Sequence, residues 1–514
     1  EIFVQGGTRA TGITLETWVE KAEQLGVGEI MLTNIEREGM GSGFDLQTVK
    51  EIGDRLSVPL VAHGGAASYN DMRALFSHTG ATGGAAGSLF VFESERSNIL
   101  INYRPYNAAG RVEADVSIAP LVASVHDDVD DLNALEDGGE ICTRCLITSE
   151  VPGSSIREGG FCHYCELHDS LDAKYPNDDR GSKALTLMID RLKSEGRGKE
   201  FDAIIGVSGG CDSSYLAHVL VERGVRLLAV HFDNTWNSEV ATSNIHAITD
   251  GLNIPLETYV VDNVEYDDIY RSFLLAGVKD VEAPTDIGFM SVLYRAAKRY
   301  KISSIVEGHS FRTEGVSPLG WLYMDGGYVE SVHARYGQVP MRTYPRMSFS
   351  DFVNWSVFSG IRRLRPLYHL DYWKDSAMDV LSTEYGWQWY GGHHLENRFT
   401  AFYHAVLLPQ RFGIDFRQIE YSALVRSGHI GRKEAWGIIN SPRPESSRLE
   451  ALVKKRLALS EDAYHALLTQ DVQTYRDFDT YKKRFERWRP VFWSLMKMGR
   501  VPESFYVKFC QPQD

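Results

Sequence analysis

The sequence predicts an α/β protein with parallel sheets in two regions, a small metal-binding module between them and a helical C-terminal region. Three observations predict it. Strand-like and amphipathic segments alternate strictly through the first hundred residues. A Gly-Gly turn joins an apolar run to a helical one at Ser208–Ser214. Two Cys-x-x-C pairs, Cys142/Cys145 and Cys162/Cys165, stand sixteen residues apart.

In the first region, Ile2–Val4, Glu29–Thr33, Val58–Ala62 and Ala85–Phe92 read as strands. Leu15–Leu25, Leu46–Leu56 and Tyr69–Ser77 read as amphipathic helices between them. Such alternation implies a parallel sheet with right-handed crossovers. Glycines follow the strand ends at Gly6-Gly7, Gly64-Gly65 and Gly87-Ser88, the edge where a (βα)-barrel carries its ligand sites. Gly64, Gly65, Gly87 and Ser88 are therefore the expected phosphate or ammonia end.

Gly-Val-Gly-Glu-Ile-Met-Leu-Thr-Asn-Ile-Glu-Arg-Glu-Gly (26–39), Ser42-Gly43-Phe44-Asp45 and His63-Gly64-Gly65-Ala66 resemble the second half of the imidazole-glycerol-phosphate synthase cyclase subunit, over about residues 1–103. The resemblance implies that residues 1–106 are the C-terminal half of a (βα)8 barrel. It also implies that the barrel receives ammonia from a glutaminase subunit. Glu36 and Glu38 stand where that family has Asp, and one added methylene displaces a positioned carboxylate. The family's other acid/base aspartates belong to the first half, so the expectation is ammonia handling rather than cyclisation. A four-stranded half-barrel exposes sheet edges, so a second copy, a partner or an absent N-terminus is expected to complete it. Glu1 lies within an apolar, strand-like run, as a truncated beginning would. The plain alternative is a degenerate scaffold.

Residues 107–140 hold few large apolar side chains and the acidic run Asp127-Asp128-Val129-Asp130-Asp131, the composition of a linker. In the module at 141–168, Cys142, Cys145, Cys162 and Cys165 suit tetrahedral Zn²⁺ with four thiolates. Four protein ligands leave no open position, so this zinc is structural.

A nucleotide-type domain is expected over 169–340. Phe201–Val207 is short, apolar and β-branched-rich, a buried parallel strand. Ser213–Arg223 has helical spacing and stops at Gly224. Between them, Ser208, Gly209, Gly210, Asp212, Ser213 and Ser214 offer backbone N–H groups at a helix start, hydroxyls and a carboxylate for Mg²⁺. An ordinary strand-to-helix turn is the alternative. Without a Walker lysine, the string resembles the PP-loop of the ATP pyrophosphatase superfamily. That resemblance implies ATP cleaved between its α- and β-phosphates and adenylation of a carbonyl-type oxygen.

Val225–Phe232, Leu256–Val261 and Ser303–Val306 read as further strands, so Asp212, Asp233 and His309 are expected at the carboxyl edge. Asp233 holds Mg²⁺ or ribose in that reading; in the other it is a turn or cap residue. Thr285 and Asp286 lead into a helix around Met290–Ala297, where Thr and Asp are also common caps.

From about residue 140 to at least 430, several motifs together resemble the N-acetyl sugar amidotransferases. They are the cysteine pairs, Asp233–Glu239, Ala283-Pro284-Thr285-Asp286, Gly308-His309-Ser310, Arg312-Thr313-Glu314-Gly315, Arg365-Pro366-Leu367 and Trp389–Thr400. The resemblance implies conversion of an acetamido into an acetamidino group for bacterial surface polysaccharide. It implies Asp212, Asp286 and His309 as catalytic and Thr285, Arg312, Glu314, His393, His394, Glu396 and Arg398 as sugar-binding. Residues 341–514 read as helical and rich in aromatic and basic side chains, suited to a nucleotide-linked sugar.

With 43% hydrophobic and 24% charged residues, the chain is globular, and its 514 residues imply several domains. A net charge of −15 disfavours a broad nucleic-acid face. No apolar run reaches membrane-spanning length and no signal peptide opens the chain, so the expected compartment is the cytoplasm. The expected cofactors are ATP, Mg²⁺ and structural Zn²⁺. Two rival readings are a PP-loop tRNA thiolation enzyme, which would need Cys211 to carry a persulfide, and a non-catalytic scaffold for a glutaminase.

Overall fold

The computed structural model describes residues 1–4, 7–56, 58–87, 140–151, 153–316, 322–392, 394–443 and 446–512. Ser88, His393, the linker 107–139 with its acidic run, and positions 88–92 of an expected strand lie outside them. The chain divides into two compact units, Glu1–Val122 and Ala123–Asp514.

In the first unit, β3 (Ile30–Thr33), β4 (Leu60–His63) and β5 (Gly83–Ala85) form a parallel sheet, with Thr33 opposite His63 and His63 opposite Ala85. Helices α1 (Leu15–Gln24), α2 (Leu46–Gly53) and α3 (Tyr69–His78) alternate with these strands. Each has a side-chain cap at its start: Thr14, Asp45, and the Ser68/Asp71 reciprocal pair. Val19, Val49, Ile52, Leu60, Ala62 and Leu75 form the core.

Two expectations change here. β1 (Phe3–Val4) does not enter the parallel sheet; it pairs antiparallel with β2 (Arg9–Ala10) in a two-stranded ribbon. Only four residues separate the two strands, a hairpin length that forbids a parallel crossover. The strand expected from Ala85 begins two residues earlier among the described residues, since Gly83 and Gly84 pair with Val61 and Ala62 despite their low strand propensity.

In the second unit, β6 (Ala203–Gly206), β7 (Leu227–Asp233), β8 (Leu256–Val260), β9 (Ser304–Val306) and β10 (Arg362–Leu364) form one parallel sheet in the order β10-β9-β6-β7-β8. The winding reverses at β6, between β7 and β9, which makes the end of β6 a topological switch point. Alternate residues feed opposite cores. Ala203 and Ile205 belong to the core on one face with Ile189, Leu216 and Leu220, and Ile204 belongs to the core on the other with Ile269 and Leu293. The central strands β6, β7 and β9 are buried on both faces, so they read as nearly continuous apolar runs.

β10 lies in the region read as helical. With two arginines in three residues it has no apolar signature, and its register comes from pairing with Ser304–Val306. The remainder of 341–512 is mostly helical.

Candidate functional site

The chain leaves β6 through Val207–Gly210 and enters helix 211–222 at Cys211, two residues before the expected start. Gly210 is its N-cap, so Asp212 lies in the first turn at the positive end of the helix. Gly209 has φ +81°, and a Cβ there would lie 2.3 Å from the Ala241 carbonyl oxygen. Its own carbonyl accepts from Trp387 Nε1 at 3.0 Å and Asn244 Nδ2 at 3.2 Å. Ser208 Oγ accepts from Gly210 N at 3.3 Å, and Ser213 Oγ donates to Gly210 O at 3.3 Å. Ser214 is buried behind the loop. Gly308, past β9, closes the other side: a Cβ there would lie 2.7 Å from Ser213 N.

A connected set of ionisable groups surrounds this loop. Tyr372 donates to Asp212 Oδ1 at 2.8 Å, and Lys374 Nζ stands 3.5 Å from Asp212 Oδ2 and 3.9 Å from Glu420. Glu314 Oε2 lies 3.6 Å from His309 Nε2, whose Nδ1 meets the Tyr368 hydroxyl at 3.0 Å. Burial and then the Asp212 carboxylate push the Glu314 carboxyl up to about 8. Burial and the Arg365 guanidinium push His309 down to about 3, so its ring is neutral. Burial opposes charge on His394 as well, but Glu396, 3.9 Å away, with Glu314 and Glu420, holds the ring protonated up to about 9. Ser208 Oγ donates to Glu396 Oε1 at 3.5 Å, and Glu396 Oε2 is buried without a protein partner. A carboxylate thus sits against the loop, within reach of the Ser208 hydroxyl.

The C-terminal segment reaches this site through a short antiparallel zip. Ser238 N donates to Glu396 O and Arg398 N to Trp236 O, both at 2.8 Å, around a bridge between Asn237 and Asn397.

Asp212, His309, Glu314, His394 and Glu396 therefore share one network. Asp233 spends Oδ1 on Thr235 N at 2.7 Å and meets Asn237 at 3.4 Å, the turn reading of this residue. The Thr285 hydroxyl bonds those of Tyr266 and Tyr270. Asp286 lies one helical turn beyond Glu282 in helix 283–299, and burial raises both carboxyls, Glu282 to about 8 with Asp286 as the second cause. Arg312 points elsewhere: it pairs with Asp172 and donates to the carbonyls of Tyr175 and Tyr368, a structural strut. Arg398 is half-exposed, 3.8 Å from Glu239.

Sequence reasoning missed Lys374, Glu420, Tyr372 and Glu282. None sits in a motif; Tyr372, Lys374 and Glu420 reach Asp212 only through the fold, and Glu282 directly precedes the Ala283–Asp286 string. Cys211 is buried beside Tyr372, and burial and then Asp212 push its thiol up to about 12, which leaves little thiolate for sulfur chemistry.

Cys142, Cys145, Cys162 and Cys165 are buried together, with Sγ separations of 3.6–3.7 Å and all four within 4.8 Å of one another. Thiolates about 2.3 Å from a tetrahedral ion stand about 3.8 Å apart, so the four residues fit a metal. In the first unit, a cavity of about 190 Å³ is lined by Glu38, His63, Gly64, Gly65 and Gly87. Gly64 and Gly65, at φ +97° and +98°, bring the backbone so near Asn34 O and Gly43 O that a Cβ would lie 2.5 and 2.3 Å from them.

A doubly wound sheet with a glycine-containing strand-to-helix loop at its switch point, carrying a four-cysteine candidate metal site and accompanied by a separate (βα) unit, defines a two-part mixed α/β protein. Residues 396–495 match the family model of LPS biosynthesis protein WbpG-like, C-terminal domain, and residues 1–96 that of histidine biosynthesis protein. The chain is 43% identical over 91 residues to imidazole glycerol phosphate synthase subunit HisF of Streptococcus mutans, covering 18% of this chain and 36% of that protein. It is 37% identical over 98 residues to the HisF subunit of Nitrosopumilus maritimus, covering 19% and 37%. The chain thus spans well under half the length of the curated relatives it matches. Among solved structures, NMN synthetase from Francisella tularensis matches at 13% identity over 55% of this chain and 97% of that one, with a TM-score of 0.24. NH3-dependent NAD synthetase from Campylobacter jejuni matches at 15% over 40% and 83%, with a TM-score of 0.22. Scores this low carry no argument about this chain. No helix among the described residues is long and apolar enough to cross a membrane.

Proposed function

We propose that this chain is an ATP-dependent amidotransferase that converts the acetamido group of an N-acetyl sugar, in nucleotide-linked form, into an acetamidino group for bacterial lipopolysaccharide O-antigen. One observation carries the reading. The Ser208–Glu396 contact joins the loop after β6 to the first residue of the WbpG-like segment.

The chemistry follows from the substrate. An amide oxygen is a poor leaving group; transfer of AMP to it releases pyrophosphate and leaves an imidate. Ammonia adds to the imidate carbon, AMP departs with the oxygen, and one proton must leave the incoming nitrogen. Ser208, Gly209, Gly210, Ser213 and Ser214 would cradle phosphate, and Asp212 would hold Mg²⁺, which offsets charge on departing pyrophosphate. The proton from the incoming nitrogen passes to water; Glu314, held largely protonated at neutral pH by burial and Asp212, lies beside the neutral His309 ring in this reading. His394, Glu396 and Arg398 face the sugar in this reading, and Asp286 with Glu282 lines its deeper side. The four cysteines would hold structural Zn²⁺. Ammonia is mostly protonated at neutral pH, so delivery from glutamine by a glutaminase partner through the HisF-like unit gives that unit its role.

The test is to incubate the protein with ATP, ammonium chloride and a panel of diacetamido nucleotide-sugars. AMP formation that depends on one sugar, with exchange of O for NH in that sugar's mass, is the expected result. AMP formation indifferent to every sugar overturns the reading.

A further inference from the structure

The four-cysteine module is bound to the WbpG-like segment by contacts that begin on its own ligand residues. Arg432 donates through Nη2 to the Cys142 carbonyl at 2.8 Å and through Nε to the Cys145 carbonyl at 3.1 Å. One guanidinium therefore spans both ends of the first knuckle with a planar, preorganised fork of donors. Leu146 N, just past Cys145, donates to Ser422 Oγ at 3.1 Å, and Gln418 Nε2 donates to Thr148 Oγ1 at 3.3 Å. Leu146 is wholly buried with Ala435 and Ile439. Arg426, on the same helix as Ser422, acts electrostatically on Cys145, and its Nε and Nη1 are buried without partners. A divalent ion with four thiolates has a net charge of two minus; Arg426 and Arg432 bring two positive charges to it. The helix Phe416–Arg426 also carries Glu420, which stands 3.9 Å from Lys374, itself 3.5 Å from Asp212.

We propose that Arg432, with helix 416–426, forms the outer shell of the four-cysteine metal centre, so that metal loading fixes the helix holding Glu420 beside Lys374 and Asp212. Arg432 is a positioning residue: it orients the backbone that presents two thiolates, and outer-shell partners of this kind are worth 10–100-fold in metal affinity. The module is then the fastener of one wall of the candidate site. This inference stands whether or not the substrate is a sugar.

The test uses the full chain loaded with Co²⁺, whose tetrahedral thiolate absorption reports the inner shell. Arg432→Ala should keep that spectrum and release metal to a competing chelator about tenfold or more faster. Arg432→Lys, with a single ammonium, should fall between the two. In the unsubstituted protein, metal removal should raise amide hydrogen exchange across 416–440 and leave 203–233 protected. Release from Arg432→Ala at the unsubstituted rate overturns the proposal. So does full protection of 416–440 in the metal-free protein, which decides the matter even if the variant fails to fold.

Discussion

Replacing Gly308 by alanine isolates the geometry of the loop from its chemistry. The new Cβ would stand 2.7 Å from Ser213 N and 2.9 Å from Asp212 C, against backbone rather than a yielding side chain. Ordinary contact begins near 3.4 Å, so strand end and helix start must separate by about 0.7 Å. Overpacking of this kind costs about 1–3 kcal/mol, which lowers Tm by roughly 1–4 °C in a unit of this size. The diagnostic effect is on ligand binding. With ATP at 100 times its Kd, the unsubstituted protein gains about 2.7 kcal/mol of stability. A displacement approaching 1 Å of Asp212 and Ser213 costs about 100-fold in a positioned site, which reduces that gain to about 0.4 kcal/mol. Thermal unfolding with and without Mg·ATP measures both quantities. Gly327→Ala is the control, since its Cβ would meet Tyr481 Cε1 at 2.7 Å, a comparable crowding against another part of the unit. An ATP-induced rise in Gly308→Ala equal to that of the control would refute the assignment of the loop as the nucleotide site.

Two further outcomes follow from the same structure. Glu282 is held up to about 8 from an ordinary 4.5, so the folded state keeps a proton that the unfolded state has lost, and stability falls as pH rises between those values. Glu282→Gln should therefore gain stability relative to the unsubstituted protein from pH 5 to pH 8.5, by at most about 5 kcal/mol. Parallel unfolding curves for the two proteins would exclude this. Arg398→Ala should abolish sugar turnover while leaving metal content and the ATP-induced rise in Tm intact; unchanged steady-state kinetics would remove Arg398 from the site.

Much of the second unit was legible because its chemistry is local. Ile204, Ile205, Leu228 and Val230 are apolar on both faces, so the strands announce themselves, and Ser208–Ser214 is a contiguous Gly- and Ser-rich turn between strand and helix. The cysteine pairs are equally local, and their spacing alone brings four sulfurs together. What was not legible is what depends on pairing partners. Arg362–Leu364 has no strand pattern and becomes β10 only beside Ser304–Val306. Lys374 and Glu420 lie in unremarkable helical stretches, and only the folding of α/β layers sets them on either side of an ion pair near Asp212. Arg312 misled for the opposite reason: its neighbours in sequence suggested a ligand, whereas its guanidinium is consumed by Asp172 and two carbonyls from distant parts of the chain. In the first unit, Phe3–Val4 had strand composition, but a four-residue connection decided its partner.

The zip between 236–238 and 396–398 bears on how this chain can be recombined. The WbpG-like segment begins at residue 396, yet its first three residues are already paired to the loop after β7, some 160 positions earlier. Asn397 also donates to Asn234 at 2.9 Å and caps the helix that follows. The two bonds of the zip join backbone to backbone and tolerate any side chain, whereas the Asn397–Asn234 contact needs both residues to match in a transplant of 396–495. Exchanging the donor's counterpart of Asn234 together with it keeps that side-chain contact, so the unit that packs as one is discontinuous in sequence.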